Sequence, residues 1–259
     1  MKLSLLAAVS AVVAMTGAAH AAQVAALVAP DTIAMVDTDA KRVTGTWKLT
    51  GLPGGALVGI DVRPADGMLY GLTTDGSVVT IDKMGKVAVK SKLETMLPAG
   101  TAATVDFNPV ADRLRVIGAN GMNLRANVDD GKVTKDGDLK YADADMHKGK
   151  KPNIVAGAYT NSYKGATETT LLNIDGTIGG LIRQAPPNDG VLNALGMHGA
   201  KAGQAAFDIM ADGKGGNWGW MMIGDTLYSV DLATGKATEA ARIAGVTGTV
   251  WDIAILPAM

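Results

Sequence analysis

Cysteine is absent from the chain of 259 residues. Disulfides are therefore excluded, and so is a lipid anchor attached through a cysteine. Histidine is nearly absent, with His20, His147 and His198 the three copies. Neither the H-E-x-x-H zinc pattern nor the G-x-S-x-G nucleophile elbow occurs, and no stretch fits the calcium loop D-x-[DN]-x-[DN]-G. After the first residues, no apolar run approaches the roughly 18 residues of a membrane helix. An excess of one charge is also missing. Residues 1–21 carry one of the 24 basic residues, Lys2, and the remainder holds 23 against 25 acidic ones. So balanced a chain has no electrostatic case for nucleic acid or an anionic membrane.

What is present begins with a secretory signal pattern. Lys2 supplies a positive start, Leu3 to Met15 an apolar core, and Ala19, His20 and Ala21 a small-residue cleavage site before Ala22. The expectation is a signal peptide over 1–21, a single domain over 22–259, and a periplasmic or secreted mature protein. Thirty-three glycines and scarce helix-period patterns point that domain towards strands and turns.

The organising signal is an internal repeat. Five segments of alternating apolar residues end in Asp: Thr32 to Asp37, Ser77 to Asp82, Asn123 to Asp129, Thr170 to Asp175 and Thr226 to Asp231. Gly-Lys follows at Gly85, Gly131 and Gly235, as expected of a turn in which Asp accepts N–H groups and Gly takes positive φ. A second motif sets a polar residue among apolar ones, at Asp61, Asp106, Asn153, Asp208 and Asp252. From it to the turn Asp the offsets in units two to five are 21, 23, 22 and 23. The last inner motif has no turn motif after it, and the first turn motif has no inner motif before it. Ring closure accounts for both. The expected fold is all-β, a five-bladed propeller in which the strand around Trp251 to Leu256 completes the blade begun at residues 24–49. In the second unit the four strands are expected near 58–63, 67–72, 77–82 and 86–91.

Several longer motifs resemble a known family. Val105 to Pro109, Asp112 to Val116, Asn123 to Arg125 and Asn127 to Asp129 are similar to the bacterial domain-of-unknown-function 4394 proteins. So are Ala158 to Ser162, Thr169 to Leu172 and Gln184 to Gly190. The resemblance covers nearly all of the mature chain and implies an exported, propeller-like bacterial domain. It brings no activity with it. The chain departs mainly at Asp143 to Lys148, where charge has been gained.

Three places are candidates for function. From turn Asp to the next inner residue the spacing is 24, 24, 24 and then 33, with 21 across the closed ring. The excess points to a loop over 183–200, with Gln184, Asn188 and Asp189 as ligand contacts, on the face of the hairpin turns between second and third strands. Stiffening of a long crossing by Pro186 and Pro187 is the plainer alternative. The inner ring of Asp61, Asp106, Asp208 and Asp252, with Asn153 in the fourth unit, could hold a hard cation such as Ca²⁺. Repetition in every unit favours a structural role in which each Asp accepts backbone N–H bonds. The third place is the cluster Asn108, Asp112, Arg113, Arg115 and Arg125, in which Arg115 and Arg125 on neighbouring strands could form an anion site; the nearby acids favour a brace paired with Asp112 or Asp129 instead. Tyr159 and Asn161 complete the residues that repetition leaves unexplained. Asp143, Asp145 and His147 read as a solvated loop, and Trp218 to Met222 as blade packing.

The resulting expectation is an exported, non-catalytic scaffold and a monomer. It would bind a small molecule or an envelope or extracellular protein through the face bearing 183–200. A Ca²⁺-dependent hydrolase using the Asp ring, and a structural envelope or matrix component, are the rivals.

Overall fold

The structure, a computed structural model, describes residues 22–201 and 203–257. The expected signal peptide, 1–21, lies outside the described residues. Blade 1 contains β1 (Gln23–Ala29), β2 (Thr32–Asp37) and β3 (Arg42–Lys48). Blade 2 is β4 (Leu57–Val62), β5 (Leu69–Thr73), β6 (Ser77–Ile81) and β7 (Val87–Lys92). Blade 3 is β8 (Ala103–Asn108), β9 (Arg113–Gly118), β10 (Asn123–Ala126) and β11 (Val133–Lys135). After the short β12 (Lys140–Tyr141), blade 4 is β13 (Ile154–Tyr159), β14 (Leu171–Asp175), β15 (Gly180–Gln184) and β16 (Val191–Met197). Blade 5 is β17 (Ala206–Ala211), β18 (Asn217–Ile223), β19 (Thr226–Val230) and β20 (Ala237–Arg242). The last strand, β21 (Asp252–Ile255), pairs antiparallel with β1, Val24 facing Ile255 and Leu27 facing Asp252.

Five sheets therefore form a ring of five blades, and the expectation of a split first blade is borne out. Closure leaves no free inner edge between the chain ends. Burial follows position in the blade. The inner β4 is buried along nearly its whole length, whereas the outer β3 alternates between exposed and half-buried residues, as a strand facing water on one side must.

An outer belt ties each blade to the next. The turn between third and fourth strands meets the segment that leaves the preceding blade: Thr50 N donates to Gly85 O (3.0 Å), Glu94 N to Gly131 O (3.0 Å) and Lys140 N to Gly190 O (2.9 Å). Ala237 N donates to His198 O (2.9 Å), and Ala244 N to Lys41 O (3.0 Å). Gly85, Gly131, Gly190 and Gly235 all have left-handed φ, from 67° to 78°. A Cβ at Gly131 would overlap the Lys92 carbonyl, and one at Gly190 the Gly137 carbonyl. Close approach of a neighbouring backbone thus explains the recurrent glycine.

Blade 4 corrects the repeat reading. Leu171–Asp175 is its second strand, not its third, so the count from Asn153 to Asp175 spans one strand fewer than in the other units. The residues 183–200 are not a loop insertion. They comprise the end of β15, a single 3-10 turn at Pro187–Asp189, all of β16, and only three residues beyond it. The extra length lies instead in 160–170, between β13 and β14. The turn Asp is displaced as well. Asp37, Asp82 and Asp231 accept turn N–H groups as expected, but in blade 3 Asn127 does so, and Asp175 caps the turn between β14 and β15.

The core lies between blades rather than within one. Clusters of fourteen, twelve, twelve and ten buried apolar residues fill the boundaries 5–1, 1–2, 2–3 and 4–5. The cluster at boundary 3–4 has eight. A polar network occupies the remaining space there.

Candidate functional site

Three of the inner acids sit inside their strands, Asp61 next to last in β4 and Asp106 and Asp208 mid-strand, whereas Asp252 opens β21. All four are 4–6% exposed. Each carboxylate reaches across a boundary. Asp61 accepts Val62 N and Phe107 N (both 2.6 Å), and Asp208 accepts Ile209 N and Ile255 N (both 2.6 Å). Asp252 accepts Ile253 N and Ile60 N (both 3.0 Å), and Asp106 accepts Tyr159 N (2.9 Å). Asp106 thus staples blade 3 to blade 4, as Asp61 staples blade 2 to blade 3. Asn153 is no part of this ring. It precedes β13, is half-buried, and its N–H donates to Asp175 (3.0 Å). Phe107 follows Asp106 as Tyr159 follows Ala158, so Ala158 takes the place of the acid in blade 4 and cannot staple it to blade 5.

Asp61, Asp106 and Asp208 present oxygens within 4.8 Å of one another. Burial, and then the neighbouring acids, push Asp61 and Asp106 well above the usual carboxylate range. Burial raises Asp252 likewise and takes Asp208 to about 6. The buried carboxyls therefore hold their protons to higher pH than free acids do, because ionised forms so close together would lack solvent.

Two guanidinium networks flank blade 3. At boundary 2–3, Arg63 binds Asp112 through Nε and Nη2 (2.8 and 2.6 Å) and Asp129 through Nη1 and Nη2 (3.1 and 2.7 Å). Asp112 and Asp129, expected to partner Arg115, therefore serve Arg63. At boundary 3–4, Arg115 is 2% exposed and donates to Asp136, Asn123, Asn188 and the Tyr159 hydroxyl, at 2.5, 2.8, 2.9 and 3.1 Å. Arg125, opposite Arg115 in the sheet, binds both oxygens of the same Asp136 (2.6 and 2.8 Å). The brace reading holds for Arg115, with Asp136 as its acid.

Most of the remaining candidates are structural. Asn108 caps its turn through Val110 N and Ala111 N, and Gln184 is buried between Asn173 and the Pro187 carbonyl. Asn161, at φ 57°, exchanges hydrogen bonds with Asn217 and donates to Glu168 O. Tyr159 is buried; Asn188 and Asp189 are exposed in the turn beside blade 3. The 143–148 loop is more than solvated: Asp145 accepts Ala194 N (2.7 Å) and pins the loop to β16, and His147 lies 5.2 Å from Tyr141, ring to ring. Trp220, Met221 and Met222 pack in the core as expected.

Of the expected anion pair, Arg115 is buried on Asp136, and Arg113 converges on Arg125 in its place. With Asn127, Asp130, Lys132 and Thr134 they line an open cleft of about 210 Å³ on the face of blade 3. Arg63, Asn123 and Asp136 escaped sequence reasoning. Arg63 had a signal: an arginine two residues after Asp61, at the end of an otherwise apolar strand. Asp136 had none, since 21 residues separate it from Arg115.

Fold and packing define a five-bladed β-propeller whose inner acids and buried guanidiniums hold its blades together. The chain belongs to the family described as domain of unknown function (DUF4394), whose model matches residues 32–254. No curated protein matches it significantly. Among solved structures, the calcium-binding protein regucalcin from Agrobacterium tumefaciens is 15% identical, with 91% of this chain and 82% of that one covered and a TM-score of 0.51. A protein of unknown function from Bacteroides thetaiotaomicron is 13% identical over 80% of this chain and 52% of its own, with a TM-score of 0.50. Identity so low shows a common fold alone.

Proposed function

We propose that this chain is an exported, non-catalytic binding propeller whose ligand meets the open face of blade 3. One observation carries the reading. Most polar groups of the channel and of the 3–4 boundary are taken up by hydrogen bonds within the fold, whereas the blade 3 cleft is open and keeps donors in reserve. The site accordingly moves from the 183–200 segment to β9–β11, while the idea of binding on a rigid scaffold is kept. Among the described residues, no helix is long and apolar enough to cross a membrane.

A thermal-shift screen of small hydrophilic compounds tests it, using the purified protein and Thr134→Trp, which fills the cleft. Stabilisation lost in the variant supports the reading; stabilisation that survives in the variant overturns it. Export is tested by the amino terminus of protein recovered from the periplasm or medium. A chain starting at Ala22 supports it, and an intact Met1 overturns it.

The rival, a Ca²⁺-dependent hydrolase, draws support from the proximity of Asp61, Asp106 and Asp208. Against it, seven of the eight oxygens on these acids and Asp252 already accept main-chain N–H groups. Added CaCl₂ should leave Tm unchanged; a rise that EDTA reverses would favour the rival.

A further inference from the structure

We propose that the blade 3 cleft takes an oxyanion, a carboxylate or phosphate carried by a small hydrophilic molecule. The inference names the ligand class of the site proposed above and rests on that reading. Arg113 Nη1 donates to the carbonyls of Ala111 and Asp112 (3.3 and 2.9 Å), which leaves Nε and Nη2 without a protein acceptor. Arg125 spends Nε and Nη2 on Asp136 and keeps Nη1. Lys132 contributes an exposed ammonium 3.7 Å from Asp130, and Asn127 and Thr134 add neutral polar groups.

Charge bookkeeping points the same way. Arg63 and Lys90 at boundary 2–3 are more than balanced by Asp66, Asp112 and Asp129. Arg115 and Arg125, by contrast, share the single carboxylate of Asp136. One positive charge is left over beside the cleft, and Arg113 adds another. Unused guanidinium N–H groups match oxyanions in geometry as well as charge. At about 210 Å³ the cleft is smaller than the ~300–1,000 Å³ typical of drug-sized ligands, so the group seated in it is small.

Isothermal titration and amide chemical-shift mapping at low salt, with inorganic phosphate, glucuronate and neutral glucose as probes, test this. Phosphate or glucuronate should shift amides at 113 and 125–134, and whichever binds identifies the oxyanion. Arg113→Gln and Lys132→Gln should each weaken that binding about fivefold with Tm unchanged, and Asp130→Asn should tighten it. Anion binding that all three variants leave unaltered would overturn the proposal. So would the absence of any shift from either anion at about 10 mM, a concentration that saturates even millimolar sites. Glucose shifting these amides where the anions do not would refute the ligand class while sparing the binding reading. Loss of every hit in the Thr134→Trp screen remains the separate test of the latter.

Discussion

Boundaries 5–1 and 3–4 solve the same packing problem differently. At 5–1, fourteen buried apolar residues, among them Trp220, Met222 and Ile253, interlock around the closing strand. At 3–4, eight apolar residues suffice because a guanidinium, a carboxylate, two asparagines and a tyrosine hydroxyl form one connected network. Apolar packing is non-directional and accommodates small changes of shape. A buried ion pair with fixed donors accepts one geometry, and removing a member leaves the others unsatisfied. Blade 4 is also where the repeat departs most, with no inner acid, a long 160–170 connection and β12 added parallel to β16. Specialisation and polar packing therefore coincide, next to the cleft.

The hardest way to break this contrast is Arg115→Ala. It leaves Asn123 Oδ1 and the Tyr159 hydroxyl unpaired in a dry boundary and Asp136 with Arg125 alone, and should cost about 2–4 kcal/mol in urea unfolding. Ile253→Val, which trims one methylene from the apolar boundary, should cost about 0.5–1.5 kcal/mol. Comparable losses for the two would mean that the network is not a brace.

The inner acids sharpen the comparison through pH. Asp208 titrates near 6 in the folded protein against about 3.8 in the unfolded chain, so the folded state binds more protons between those values. Its contribution is complete below about pH 4 and is lost as pH rises through 6, worth roughly 2–3 kcal/mol. Asp61, Asp106 and Asp252 act in the same direction. Tm should fall from pH 5 to pH 8, and the fall should be shallower in Asp208→Asn. An identical slope in the variant would sink this account. Arg115 gives no such dependence, because a guanidinium stays charged throughout that range.

Much of the ring was legible in the sequence because five copies of one packing problem recur at regular spacing. Asp61, Asp106, Asp208 and Asp252 were visible as periodic acids, and the unpaired motifs at Asp37 and Trp251 revealed the split blade. Blade 4 misled because Thr170 to Asp175 has the alternation of a third strand, and alternation alone does not say which strand of a blade it builds. The partners of Arg115 were hidden for a different reason. They are specified by contact across a boundary, and sequence spacing carries no record of that. The pair legible as an anion site was Arg115 and Arg125; that Arg113 takes the place of Arg115 beside the cleft became visible only once Asp136 had been placed.

A last effect, smaller than that of Arg115→Ala, concerns the outer belt, which is common to both kinds of boundary. Gly131 and Lys41 hold equivalent left-handed places, at φ 78° and 54°. An alanine at 131 would meet the Lys92 carbonyl and also carry the cost of the left-handed conformation, together about 1–3 kcal/mol. Lys41→Gly should change stability by less than about 1 kcal/mol, since relief of the left-handed backbone is offset by a more flexible unfolded chain. The two measurements separate close backbone approach from φ preference as the reason for glycine here. A loss at Gly131 no larger than the change at Lys41 would leave φ preference as the whole cause, and the belt would be a turn requirement rather than a contact between blades.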